Sequence, residues 1–162
     1  MKKFNEIPSM YIQAAKQIGL QRTQRNQKTR EGNKDFYSGN PEQTDFIGVL
    51  GEMLAAFELI KKGNKFTLNA LLDDKPLTEP DITFEHNGKL WLVDAKATET
   101  RMKRVPKRKL DKAAANNINA YWFFRISLKE DWYQHAFHTI EEVQSWQCVE
   151  SYNEQQYCKK FV

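Results

Sequence analysis

The spacing of apolar residues changes several times along this chain, and each change marks an element. Pro8 to Ile18 reads as a short helix stopped by Gly19. From Leu20 to Asn40 the chain is rich in Gln, Asn, Arg and Lys with almost nothing apolar, which predicts a loop or disordered arm. Asn40-Pro41-Glu42-Gln43 then opens a second helix, with Asn as N-cap, Pro at the first helical position and Gln at the third. Phe46, Leu50, Met53, Leu54, Phe57 and Ile60 follow at helical spacing, and Gly63 ends the run. A second stripe of the same helix holds Gly48, Gly51, Glu52, Ala55 and Ala56. Small residues on one helix face imply close packing against a sheet.

Lys65 to Leu72 predicts a strand, and Asp73 to Glu79 a polar loop. Two β-rich runs, Asp81 to His86 and Lys89 to Lys96, flank Asn87-Gly88, the pair most favoured in a two-residue type I′ hairpin turn. Val105 to Asn117 reads as a helix, and Ala120 to Ser127 as a buried strand. Thr139-Ile140-Glu141-Glu142 is a capping box that starts a final helix near Val143 to Trp146. No internal repeat is visible. The division expected is a basic helix and arm over 1–40, followed by one globular domain over 41–162.

With 162 residues the chain can bury one core. It contains no apolar run long enough to span a membrane, and with no apolar stretch behind Lys2 and Lys3 no secretory signal is expected. The two cysteines, Cys148 and Cys158, do not make a disulfide framework, and a reducing cytoplasm is the simpler home. The net charge of +4 is modest but unevenly spread. Residues 1 to 40 carry Lys2, Lys3, Lys16, Arg22, Arg25, Lys28, Arg30 and Lys34. A second block packs Arg101, Lys103, Arg104, Lys107, Arg108, Lys109 and Lys112 around Asp111 alone. Such blocks suit a polyanion, most commonly nucleic acid, although a solvated basic face is the plainer reading of charge by itself.

The candidate chemistry lies in the hairpin. A two-residue turn pairs His86 with Lys89, and counting outward puts Asp81 opposite Asp94. Opposed residues share a face with their β-carbons roughly 5 Å apart, and like charges so placed repel. A divalent cation between them removes the difficulty, and magnesium suits one or two carboxylates plus water and phosphate. Lys96 leaves the strand on the same face as Asp94. An ammonium there can orient a water and offset charge growing on a phosphorane. Asp73-Asp74-Lys75 repeats the acid-x-Lys spacing but falls in the expected loop. His135-x-x-His138 with Cys148 and Cys158 has a spacing unlike common zinc sites, and structural roles fit these residues better.

Pro80-Asp81 followed by Asp94-Ala95-Lys96 resembles the signature of the PD-(D/E)XK, or restriction-endonuclease-like, nuclease superfamily. The resemblance covers about Gly48 to Ser127 and implies an α/β fold with an αβββαβ core, a mixed central sheet flanked by helices. It implies a magnesium-dependent DNA endonuclease, with manganese able to substitute, in which Asp81 and Asp94 hold the ion. The Ala95 carbonyl completes that site, Lys96 positions the water, and Glu52, within Gly48-Val49-Leu50-Gly51-Glu52, serves a second metal. Asp94 to Thr100 also resembles RecU-type and archaeal Holliday-junction resolvases. However, Lys109-Leu110-Asp111-Lys112 stands where RecU-type proteins carry a His-Gln pair. Arg101, Lys103, Arg104, Lys107, Arg108 and Lys109 are the expected phosphate contacts. One site per domain implies a homodimer for cutting both strands. A restriction or phage-type endonuclease of the same fold, and a DNA-binding module that no longer cuts, are the alternatives.

Overall fold

Asn40 caps the helix that anchors the fold: its side chain accepts a hydrogen bond from the Glu42 N–H at 3.0 Å, and Pro41 takes the first helical position. The computed structural model describes residues 4–31, 40–69 and 80–162. Lys2, Lys3, Lys34, the Asp73-Asp74-Lys75 triplet and residues 70–72 of the expected strand lie outside the described residues. So do the side chains of Lys28 and Arg30.

The elements in chain order are α1 (Ser9–Glu31), α2 (Pro41–Lys61), β1 (Phe66–Leu68), β2 (Ile82–His86), β3 (Lys89–Thr98) and β4 (Met102–Pro106). They continue with α3 (Lys107–Asp111), β5 (Ala120–Ser127), β6 (Trp132–Thr139), α4 (Ile140–Gln144), β7 (Gln147–Ser151) and β8 (Glu154–Lys160). The main sheet has the order β1-β2-β3-β5-β6, with β3 and β5 parallel and the other pairs antiparallel. A helix, three antiparallel strands, a short helix and a strand parallel to the third make the expected αβββαβ core. A second sheet, β4-β8-β7, lies beside it. Among the described residues no helix is long and apolar enough to cross a membrane.

The hairpin forms with the expected register. Asn87 and Gly88 have φ of 52° and 73°, both positive as a type I′ turn demands, and His86 pairs with Lys89 through to Ile82 with Val93. One face of the main sheet packs Ile82, Phe84, Val93, Trp122 and Phe124 against α2 and α1. The small-residue stripe of α2 explains how close that approach is. A β-carbon on Gly51 would stand 2.6 Å from the Ala97 β-carbon. The opposite face buries Tyr121 and Phe123 with Val105, Leu110, Val143, Trp146 and Phe161. Thr139 and Glu142 form the expected capping box at the start of α4.

Three expectations need correction. The arm expected from Leu20 is helical as far as Glu31, because polar contacts to α2 hold it. Thr23 Oγ1 donates to Asp45 at 2.6 Å, and Arg22 forks onto Glu52. Gly19 does not stop α1; it permits the crossing, since a β-carbon there would lie 2.7 Å from the Phe46 Cα. The helix expected over Val105 to Asn117 is instead the end of β4, the short α3 and turns, because Val105 is drawn into a ladder with Tyr157 of β8. Lastly, the β7–β8 hairpin was not anticipated. It turns on Tyr152-Asn153, both at positive φ, in place of a glycine pair.

Candidate active site

Asp81 stands one residue before β2, where the regular ladder ends. Its N–H donates to the Val93 carbonyl at 2.9 Å, and its Oδ2 accepts from the Ala95 N–H at 2.8 Å. That backbone bond fixes a carboxylate that is only 6% exposed. Asp94 and Lys96 lie on the face carrying Tyr121 and Phe123, their partners in β5. Lys96 Nζ is 2.8 Å from Asp94 Oδ2 and 5.5 Å from the centre of the Tyr121 ring. Asp81 and Asp94 come close enough to share a hydrogen bond. The three residues expected to act together are therefore on one patch.

The electrostatics follow from this crowding. Burial alone pushes the Asp94 carboxyl up, but Lys96, the bond to Asp81 and the more distant Lys109 outweigh it and hold Asp94 down to about 2. Burial alone pulls Lys96 down, yet Asp94 and then Asp81 hold it above the ordinary lysine value. Lys96 is thus an ammonium at neutral pH and orients rather than abstracts protons. Two carboxyl groups held this close repel when both are ionised, and a cation between them removes that repulsion. Among the described residues no group of three or more His, Cys, Asp or Glu side chains forms a metal site. Magnesium does not need one, since two carboxylates suffice when water and phosphate fill the remaining positions. The N–H and C=O of one strand residue point to the same side, so the Ala95 carbonyl is also turned toward Asp81. The donor set fits a hard divalent cation.

Glu52 of α2 is buried, and both of its oxygens are engaged at 2.9 Å by Arg22, whose charge also acts on Asp81. A cleft of about 450 Å³ adjoins Ala95 and Lys96, with Arg22, Lys103, Arg104 and Lys109 on its walls and Asp45 as its acid. The basic block divides accordingly. Lys109 lies near enough to Lys96 that the like charge lowers its pKa. Arg104 borders the cleft and also lies 5.3 Å from the Tyr152 ring centre. Lys107 is paired with Asp111 at 2.5 Å and Arg108 with Glu154 at 2.8 Å, while Arg101 is exposed. Lys103 is only 2% exposed, with Nζ 3.1 Å from His138 Nε2.

His135 and His138 point to opposite faces of the sheet. The first accepts from Trp122 Nε1 at 3.2 Å, and the second faces Lys103 and Glu142. Sequence reasoning missed Arg22 as a residue of this cleft because it sat inside what read as an arm. Its signal was an arginine near one turn beyond Ile18, at a spacing that continues α1.

No family model and no curated protein matches this sequence. Solved structures do match, among them a Holliday junction resolvase from Archaeoglobus fulgidus, an archaeal hyperthermophile. The identity is 12%, the match covers 70% of this chain and 83% of that one, and the TM-score is 0.44. At that distance the likeness says nothing about what this chain acts on.

Proposed function

We propose that the chain is a magnesium-dependent deoxyribonuclease that hydrolyses phosphodiester bonds as an endonuclease. The observation that carries this reading is the convergence of Asp81, Asp94 and Lys96 beside a cationic cleft. Asp81, Asp94 and the Ala95 carbonyl would hold the ion, which supplies Lewis acidity at the phosphate and makes a nucleophile available at neutral pH. Lys96, kept protonated by Asp94, donates to the attacking water or to a non-bridging oxygen and offsets the charge gained in the transition state. Lys109 and Arg104 bind the flanking phosphates, giving affinity without sequence choice. Glu52 contributes through Arg22 or, in the manner the resemblance implies, toward a second ion. Two copies of the chain, each supplying one site, would cut both strands of a duplex.

The test is a cleavage panel with magnesium over supercoiled, linear, single-stranded and branched DNA, with chelator controls. Cutting that disappears in D81N, D94N and K96A supports the proposal, and preference for branched substrate makes the enzyme resolvase-like. If every substrate is bound but left intact, the chain is a binding module.

A further inference from the structure

Glu52, the acid expected to serve a second metal, is buried on α2 and meets a guanidinium there. Arg22 places its NH1 and NH2 groups 2.9 Å from the two Glu52 oxygens, a fork that fixes the plane of the cation. The helix carrying it is itself fixed. Gly19 lets α1 touch the backbone at Phe46, and Thr23, the residue after Arg22, is bonded to Asp45. About a fifth of the Arg22 side chain, 21%, stays open, and it borders the same cleft as Ala95 and Lys96. The Arg22 charge also interacts with Asp81 and Asp45.

We infer that Arg22 is a phosphodiester-binding residue of this active site, held on Glu52 in the role a second cation would otherwise fill, so that the chain works with a single divalent ion. The inference rests on the nuclease reading and goes further by giving the ion count and a residue outside the expected motif. The pairing on α2 favours it: both Glu52 oxygens are engaged by Arg22, so a second ion ligated there would need Glu52 to give up its arginine. The open part of the guanidinium borders the cleft, where a phosphodiester can approach its charge while the Glu52 fork anchors it. Its orientation is already fixed before substrate arrives, which lowers the entropic cost of binding.

The full chain is titrated with manganese by calorimetry and electron paramagnetic resonance without nucleic acid. Separately, its affinity for a duplex oligonucleotide is measured in chelator. The wild-type chain is expected to bind one ion, and E52Q to bind one ion with affinity within about threefold of it. R22Q should bind the duplex about tenfold more weakly, with R22K recovering only part of the loss, because an ammonium cannot form the fork. Removing one partner of a buried pair destabilises the fold. The double variant R22Q/E52Q, which removes both charges, is therefore measured alongside and should show the same loss of duplex affinity. Two ions bound by the wild type, or ion affinity falling tenfold or more in E52Q, would make Glu52 a ligand and overturn the inference. So would unchanged duplex affinity in both R22Q and the double variant. None of these readings uses cleavage. A chain that never cuts but shows one ion and the R22Q loss sinks the nuclease reading and leaves Arg22 as a phosphate-binding residue.

Discussion

Replacing Lys103 with Met should stabilise the protein at neutral pH, even though it deletes a residue with several contacts. Lys103 is 2% exposed and no described carboxylate lies within ion-pair distance of it. Burial, with Lys159 opposite it in the β4–β8 ladder, lowers its pKa from 10.5 to about 8, and Glu142 only partly opposes this. That gap corresponds to roughly 3 kcal/mol by which the fold disfavours the ammonium relative to the amine. Below about pH 8 Lys103 is charged whether the chain is folded or not, and the whole cost is present. From about 8 to 10.5 the unfolded chain holds a proton the folded one lacks, so stability rises with pH, and above that range the cost is gone.

Against this stand the hydrogen bond to His138, worth about 1 kcal/mol, and the Trp146 and Phe161 rings 5.3 and 5.2 Å from Nζ. The two rings together contribute on the order of 1 kcal/mol. The net gain in K103M is about 1 kcal/mol at pH 7 and should shrink by about 2 kcal/mol by pH 9.5. Urea denaturation of both proteins at the two pH values reads this directly. Parallel pH profiles, or a variant less stable at pH 7 by more than about 1 kcal/mol, would refute the reasoning.

Other perturbations separate the remaining roles. Lys96→Ala should lower the single-turnover cleavage rate by about two to three orders of magnitude. Duplex affinity measured in chelator should stay nearly unchanged, and a matching loss of affinity would make Lys96 a binding residue only. Arg104→Ala and Lys109→Ala should each weaken duplex binding uniformly across sequences and reduce the salt slope of log K by about 1. A slope equal to wild type in both would remove the cleft from the DNA path. Gly51→Ala, whose new β-carbon meets Ala97 at 2.6 Å, should cost about 1–3 kcal/mol in urea denaturation. An unchanged midpoint would mean that α2 and β3 can separate without penalty.

The parts of this structure that rest on local chemistry were legible in the chain. Asn87-Gly88 sets a turn, the turn sets the register, and the register brings Asp81 and Asp94 to one face, each step spanning only a few residues. The caps at Asn40 and Thr139 are equally local. What could not be read depends on partners far along the chain. Residues 20–31 look like a solvated arm until Glu52 and Asp45 supply partners for Arg22 and Thr23. Val105 is compatible with a helix until β8, some fifty residues later, pairs with it. The same dependence hid Arg22 from the site and buried Lys103, which as part of a basic run reads as a surface cation.

The account stands on Asp81 and Asp94 jointly holding a hard cation beside Lys96. The most direct measurement is a crystal grown with manganese, examined for an anomalous difference peak. One peak is expected, touching both carboxylates at roughly 2.0–2.2 Å with the Ala95 carbonyl in its shell. A well-diffracting crystal with no peak there, and with Asp81 still on the Ala95 N–H and Asp94 still on Lys96, would contradict it.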